Sequence, residues 1–113
     1  IYSPETFLGY EIGSQHTRHD QIVAYLAYLA TASNNAQISY YGKTHEGRKL
    51  PILAISKQEH LSKINEIQKN HVDFALAGKE LRPETPIVIN LGYNVHGNEP
   101  SSYWWLEIVW GSC

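Results

Sequence analysis

The sequence predicts an α/β fold, because segments with helical spacing of apolar residues alternate with short apolar extended segments along its 113 residues. The helical segments are residues 19–32 and 56–78. The extended segments are 37–43, 49–56 and 87–91, and the last is apolar at nearly every position. Such a run is typical of a strand covered on both faces in a parallel sheet. We therefore expect a partial mixed sheet with flanking helices.

The first helix is predicted over residues 19–32. Residues 17–20 (TRHD) have the form of a capping box, in which side chains accept hydrogen bonds from the first turn of a helix. The helix should end before residues 33–35 (SNN), because these side chains compete for backbone hydrogen bonds. The apolar residues at helical spacing between these signals are Ile22, Val23, Leu26, Leu29 and Ala30.

A hairpin and a second helix are predicted next. The extended runs 37–43 and 49–56 are separated by a turn around residues 46–47 (EG). Residues 56–59 (SKQE) repeat the capping-box form, and the helix that they begin should stop near Gly78. The apolar stripe of this helix consists of Leu61, Ile64, Ile67 and Val72.

A buried strand is predicted at residues 87–91 (IVINL), after a surface loop over 79–86 that carries two prolines. The residues beyond this strand are of functional interest, because ligands in open α/β sheets bind outside the carboxyl ends of the strands.

The composition excludes several classes of function. With 42% hydrophobic residues, 18% charged residues and a net charge of −2, the chain falls in the range of folded globular proteins. Its basic residues form no run that could neutralise several phosphates, so nucleic acid is not an expected partner. No apolar stretch is long enough for a membrane span or arranged as a signal peptide, so no membrane partner is expected. The single cysteine, Cys113, leaves the redox compartment undecided.

The candidate site lies just after the predicted strand, where His96 and Glu99 stand three residues apart. Zinc binds neutral imidazole nitrogen and carboxylate oxygen, and a catalytic zinc with three such ligands leaves a fourth position to water. An i, i+3 pair in a helical turn can converge on one ion, and Gly97 leaves room for this. A surface turn would also explain so short a pattern. The position after a buried strand favours the metal hypothesis, as does Pro100, which can begin a helix.

The segment around this pair, residues 94–101 (NVHGNEPS), resembles the first zinc-binding segment of the zinc metallocarboxypeptidases, the M14 peptidase family. A second likeness lies about fifty residues earlier. Residues 41–48 (YGKTHEGR) and the strand 50–56 (LPILAIS) resemble the family's early hairpin, in which a glycine-lysine pair and an EGR turn recur. The two matches occur in the family's order, and the resemblance covers roughly residues 4–102.

The resemblance implies a hydrolase whose zinc, held by His96 and Glu99, activates water for attack on a peptide bond at the C-terminus of a peptide or protein substrate. The family's third ligand is a later histidine, and its general base is a glutamate much further on. Its substrate-binding arginines also lie downstream of the zinc segment. None of these has a counterpart here, so we expect residues 1–113 to be one incomplete carboxypeptidase-like domain that is inactive by itself. A secreted or periplasmic location is implied by the resemblance alone.

The remaining histidines are weaker metal candidates. His16 and His19 have i, i+3 spacing, but they precede a helix, where polar residues are ordinary. We expect His45 to be a solvated residue of the hairpin turn, and His60 and His71 to be solvated residues of the second helix.

The tail, residues 103–113, departs from the family's pattern because it contains all three tryptophans of the chain. One explanation is a divergent helix that packs its aromatic residues on the sheet; the other, which we favour, is a shifted reading frame or an artificial end. Sequencing of the coding DNA would decide between the two.

Two other functions remain open. The first is a zinc amidohydrolase that deacylates small N-acyl amino acids, because relatives of this fold also carry an H-G-x-E segment. The second is a non-catalytic binding module. An incomplete domain would expose a sheet edge and an apolar face that the missing part normally covers, so self-association is also expected.

Overall fold

A computed structural model describes residues 1–93 and residue 96 of the chain. Its element order is α1 (Pro4–Leu8), α2 (His19–Ala32), β1 (Ala36–Lys43), β2 (Lys49–Ile55), α3 (Gln58–Leu61) and α4 (Ile64–Ala77). The described residues thus form a mixed α and β structure, as predicted, although their sheet has two antiparallel strands instead of the expected mixed arrangement. No helix in this part of the chain is long and apolar enough to cross a membrane.

Helix α1 was not predicted, although its signals are present in the sequence. Ser3 precedes it and its Oγ accepts a hydrogen bond from the Thr6 amide at 3.2 Å. Pro4 occupies the first turn, where a missing N–H costs nothing. Gly9 ends the helix in the left-handed conformation, at φ 80°, which a residue without Cβ adopts readily.

Helix α2 provides most of the core, and its predicted bounds, 19–32, are confirmed. One face of the helix is buried, which the i, i+3, i+4 spacing of its apolar residues explains. Phe7 packs on this face from α1, and Ile38 and Leu53 pack on it from the hairpin. The buried cluster on α2 consists of Ile22, Tyr25, Leu26 and Leu29.

The capping box predicted at residues 17–20 is wrong by one residue. Arg18 is the N-cap, and its amide donates to Gln21 Oε1 at 3.0 Å. The arginine side chain cannot accept a hydrogen bond, so only the glutamine half of the motif forms. Thr17 is instead buried, and its Oγ1 accepts from the Tyr10 hydroxyl at 2.8 Å. Asp20 pairs with Arg18 at 3.0 Å, and the hydrogen bond from Arg18 lowers the pKa of this carboxyl group.

The predicted hairpin is confirmed, with each strand end within one residue of its predicted position. Ile38 pairs with Leu53, and both side chains face α2. A bulge lies between Tyr40 and Gly42 and shifts the register toward the turn. Gly47 closes that turn at φ 79°, with its amide donating to the carbonyl of Thr44 at 2.9 Å.

The second predicted helix is two helices, α3 and α4, separated at residues 62–63. The cap of α3 is Lys57, not Ser56, whose Oγ lies 3.0 Å from His60 Nδ1. The end of α4 at Gly78 is confirmed, with φ 62°. Of the predicted apolar stripe, only Leu61 is buried. Leu61 belongs to α3, and no described residue of α4 is fully buried.

The prediction of a buried strand at residues 87–91 is wrong. This segment has no regular secondary structure, and Ile87 is 87% and Ile89 79% exposed. A strand forms only where a neighbouring strand satisfies its backbone groups, and β1 and β2 pair with each other instead. Apolar character alone therefore does not determine the conformation of this segment.

Candidate metal centre

The loop over residues 79–86, which leads from α4 toward the candidate site, is held against that helix by charged side chains. Asp73 accepts from Lys69 Nζ at 2.8 Å and from Lys79 Nζ at 3.0 Å. The Asp73 side chain is 28% exposed. Both hydrogen bonds lower the pKa of the Asp73 carboxyl group, because they favour its ionised form. The hydrogen bond from Lys69 has the larger effect.

Two further contacts fix the loop before residue 87. Arg82 Nη1 donates to Glu66 Oε1 at 2.7 Å, an ion pair that joins residues sixteen positions apart. His71 Nε2 lies 2.8 Å from the carbonyl oxygen of Pro86. A carbonyl oxygen can only accept, so Nε2 carries the proton in this contact. The apolar segment 87–91 therefore starts from a backbone position that α4 holds in place.

The candidate ligand His96 lies in a bend five residues after Leu91 and is exposed. Glu99, the second predicted ligand, is outside the described residues, so the pair has no measured separation. The donor set fits zinc by its chemistry, since imidazole nitrogen and carboxylate oxygen are both ordinary zinc ligands. His96 and Glu99 thus remain a prediction.

The other histidines form no metal centre in the part of the chain that the structure describes. No three His, Cys, Asp or Glu side chains lie close enough there to hold an ion together. His45 is exposed near the hairpin turn, as expected. His60 and His71 are half-buried, which corrects the expectation that they are fully solvated. Each makes a polar contact, His60 with Ser56 and His71 with Pro86.

The EGR turn, the other segment that resembles the metallocarboxypeptidases, lies at the end of the hairpin. Glu46 and Arg48 form an ion pair of 2.7 Å across Gly47. The Arg48 amide also donates to Thr44 Oγ1 at 3.1 Å. These contacts are within the turn, and both charged side chains are more than half exposed. The turn therefore has a structural role that its residues explain locally.

Sequence reasoning missed the contacts that hold the 79–86 loop. The i, i+4 spacing of Lys69 and Asp73 could have predicted the ion pair within α4, since such pairs are neighbours on a helix, but not the contact of Asp73 with Lys79 of the loop. The same spacing relates Ser56 to His60. The pairing of Arg82 with Glu66 has no local signal, because it depends on the path of the loop.

Comparison with known proteins identifies no relative of this chain. No family model, no curated protein and no solved structure matches it. The functional interpretation rests on the residues themselves.

Proposed function

We propose that this chain is the N-terminal part of a zinc-dependent carboxypeptidase that hydrolyses peptide bonds at a substrate C-terminus. The observation that carries the proposal is the segment 94–101, in which a histidine and a glutamate three residues apart follow an apolar run. The hairpin with its EGR turn, in the family's order, supports it. The carboxypeptidase-like fold and a secreted or periplasmic location are parts of the same proposal.

In this proposal His96 and Glu99 hold the metal, and residues beyond the 113 supply a third histidine and a glutamate base. When bound, zinc lowers the pKa of water and polarises the amide carbonyl. The imidazole contributes a neutral nitrogen donor and the carboxylate contributes a negative charge, which together favour retention of a divalent cation. The chain's own part in the reaction is to hold and orient the ion.

The test is peptidase activity and metal content of the protein expressed from its whole gene, which includes any residues outside these 113. We expect release of C-terminal residues from a peptide, loss of this release with a chelator, and about one zinc per molecule. The 113-residue chain by itself should retain zinc weakly or not at all, because two protein ligands leave more of the coordination to water.

The same assay separates the proposal from the amidohydrolase alternative. Substrates are a peptide with a free C-terminus, the same peptide with an amidated C-terminus, and a small N-acyl amino acid. The carboxypeptidase proposal requires cleavage of the first substrate alone. Zinc-dependent deacylation of the third substrate, without cleavage of the peptide, would overturn it in favour of the amidohydrolase.

A second candidate function, a non-catalytic module, is favoured by the exposed apolar segment 87–91. This segment offers exposed aliphatic side chains, and its backbone pairs with no strand among the described residues; such a surface promotes strand pairing between copies. The partner that we propose is a second copy of the chain. In this alternative the chain associates without turning over substrate.

Self-association gives a direct prediction for the 113-residue chain. Light scattering should show species larger than a monomer at micromolar concentration, and Ile87→Lys should shift them toward monomer because it places a charge within the apolar segment. Leu76→Lys is the matched control, since Leu76 is 84% exposed on α4 and the added charge is the same. Equal effects of the two substitutions, or a monomer in the unsubstituted chain, would contradict the assignment to residues 87–91.

A further inference from the structure

The hairpin places two lysines directly opposite each other near its turn. Lys43 on β1 pairs with Lys49 on β2 in the strand register. Like charges directly opposite on a sheet destabilise it, because the side chains lie on the same face within a few ångströms. Neither ammonium group forms an ion pair with any side chain in residues 1–93 or residue 96. The nearest acidic residue along the chain, Glu46, is paired with Arg48 instead.

The same sheet face carries an aromatic ring and a proline. Tyr40 pairs with Pro51, and Lys43 pairs with Lys49 two positions further along β2, so the bulge between Tyr40 and Gly42 leaves both pairs on the same face. Lys49 Nζ lies 4.9 Å from the centroid of the Tyr40 ring, within cation–π range. We call these four residues, Tyr40, Lys43, Lys49 and Pro51, the lysine face.

We propose that the lysine face binds a short acidic peptide segment, independently of the proposed zinc site. Two carboxylates on one side of an extended peptide would pair with the two ammonium groups and remove their mutual repulsion. The aliphatic stems of glutamate side chains would lie on Pro51 and along the edge of the Tyr40 ring, whose face Lys49 Nζ covers. An acidic peptide therefore complements the lysine face both in charge and in apolar contact.

A peptide fits the lysine face better than a nucleic acid does. Nucleic-acid binding depends on neutralising several phosphates, and its affinity falls steeply with salt. The lysine face offers only two ammonium groups without an ion-pair partner among residues 1–93 and 96, which is too few to neutralise several phosphates. Two charge pairs suit a weak peptide contact of limited length.

The experiment is an NMR titration of the ¹⁵N-labelled 113-residue chain with unlabelled hexaglutamate. We expect the amide signals of Lys43 and Lys49 to shift in a saturable way. In K43Q/K49Q the affinity should fall about five- to tenfold, the size expected for loss of two exposed charge pairs. K43R/K49R should retain binding, since it preserves both charges.

The matched control is K57Q/K63Q, which removes two exposed lysines outside the hairpin and changes the net charge equally. It should bind hexaglutamate as the unsubstituted chain does. Equal losses in the two glutamine variants would show attraction by net charge alone and overturn the proposal. So would the absence of saturable shifts, or tighter binding of a thymidine hexanucleotide than of hexaglutamate.

Melting temperatures show whether a lysine substitution changes peptide binding or the stability of the fold. Without peptide, K43Q should melt at the same temperature as the unsubstituted chain or slightly higher, because it removes a like-charge contact without removing the Lys49 contact with Tyr40. Hexaglutamate should raise the melting temperature of the unsubstituted chain more than that of K43Q. An equal rise in both would contradict a role for Lys43.

Discussion

Replacing His96 with alanine in the protein expressed from its whole gene is expected to lower kcat/KM for C-terminal residue release by more than about a hundredfold. Loss of a hydrogen-bond partner of a metal ligand already costs about 10- to 100-fold in affinity or activity, and loss of the ligand itself removes a bond to the ion. The zinc content should fall together with the activity. Kinetics on a peptide with a free C-terminus and metal analysis of the same sample measure both.

Glu99→Gln should lower activity in the same direction, because it keeps an oxygen donor but removes the negative charge that favours a cation. His45→Ala is the control, since His45 is an exposed residue near the hairpin turn and outside the proposed site. A melting curve for each variant separates loss of metal from loss of the fold. Full activity with full zinc content in His96→Ala would refute the assignment of His96 as a ligand.

Local sequence signals predicted α2 and the hairpin well, because their structure depends on neighbours in the chain, but the equally local signals of α1 were missed. The bounds of α2 followed from its apolar spacing and from the polar residues after it. The turn at Gly47 and the helix end at Gly78 were predicted from the glycines themselves, and both glycines have positive φ in the structure. In each case the residues that determine the conformation lie within a few positions of it.

Sequence signals failed at three further places, and the last two depend on distant residues. The break between α3 and α4 falls within a segment whose apolar spacing suggested one continuous helix. Residues 87–91 have the composition of a buried strand, but pairing requires a neighbouring strand, and β1 and β2 pair with each other. The ion pair of Arg82 with Glu66 depends on the path of the 79–86 loop, which local patterns do not encode.

The candidate site depends both on local sequence signals and on contacts between distant residues. The sequence alone selected His96, because the histidine follows an apolar run and has a glutamate at i, i+3. The contacts of Asp73 and His71 with the loop, which hold the backbone before residue 87, were not predicted. Helix α4 therefore holds the backbone at Pro86, ten residues before the proposed ligand His96.

Leu26→Ala is expected to lower the free energy of unfolding by about 2–5 kcal/mol, the usual cost of removing a buried leucine side chain. Leu26 is 4% exposed, and it belongs to the α2 cluster on which α1 and both strands pack. Domains are commonly stable by only about 5–15 kcal/mol, so this loss would unfold a large fraction of a marginal chain. The urea midpoint, followed by far-UV circular dichroism, measures the effect.

Leu76→Ala is the control, because it makes the same chemical change on a helix at a position that is 84% exposed. Its effect should stay within about 0.5 kcal/mol, since no buried contact is lost. The comparison tests where the core lies: α2 is buried on one face, whereas no described residue of α4 is fully buried. Equal destabilisation by the two substitutions would show that α4 is covered in solution, by a second copy or by another part of the chain. That outcome would mean that Leu76 contributes to stability as a buried residue does.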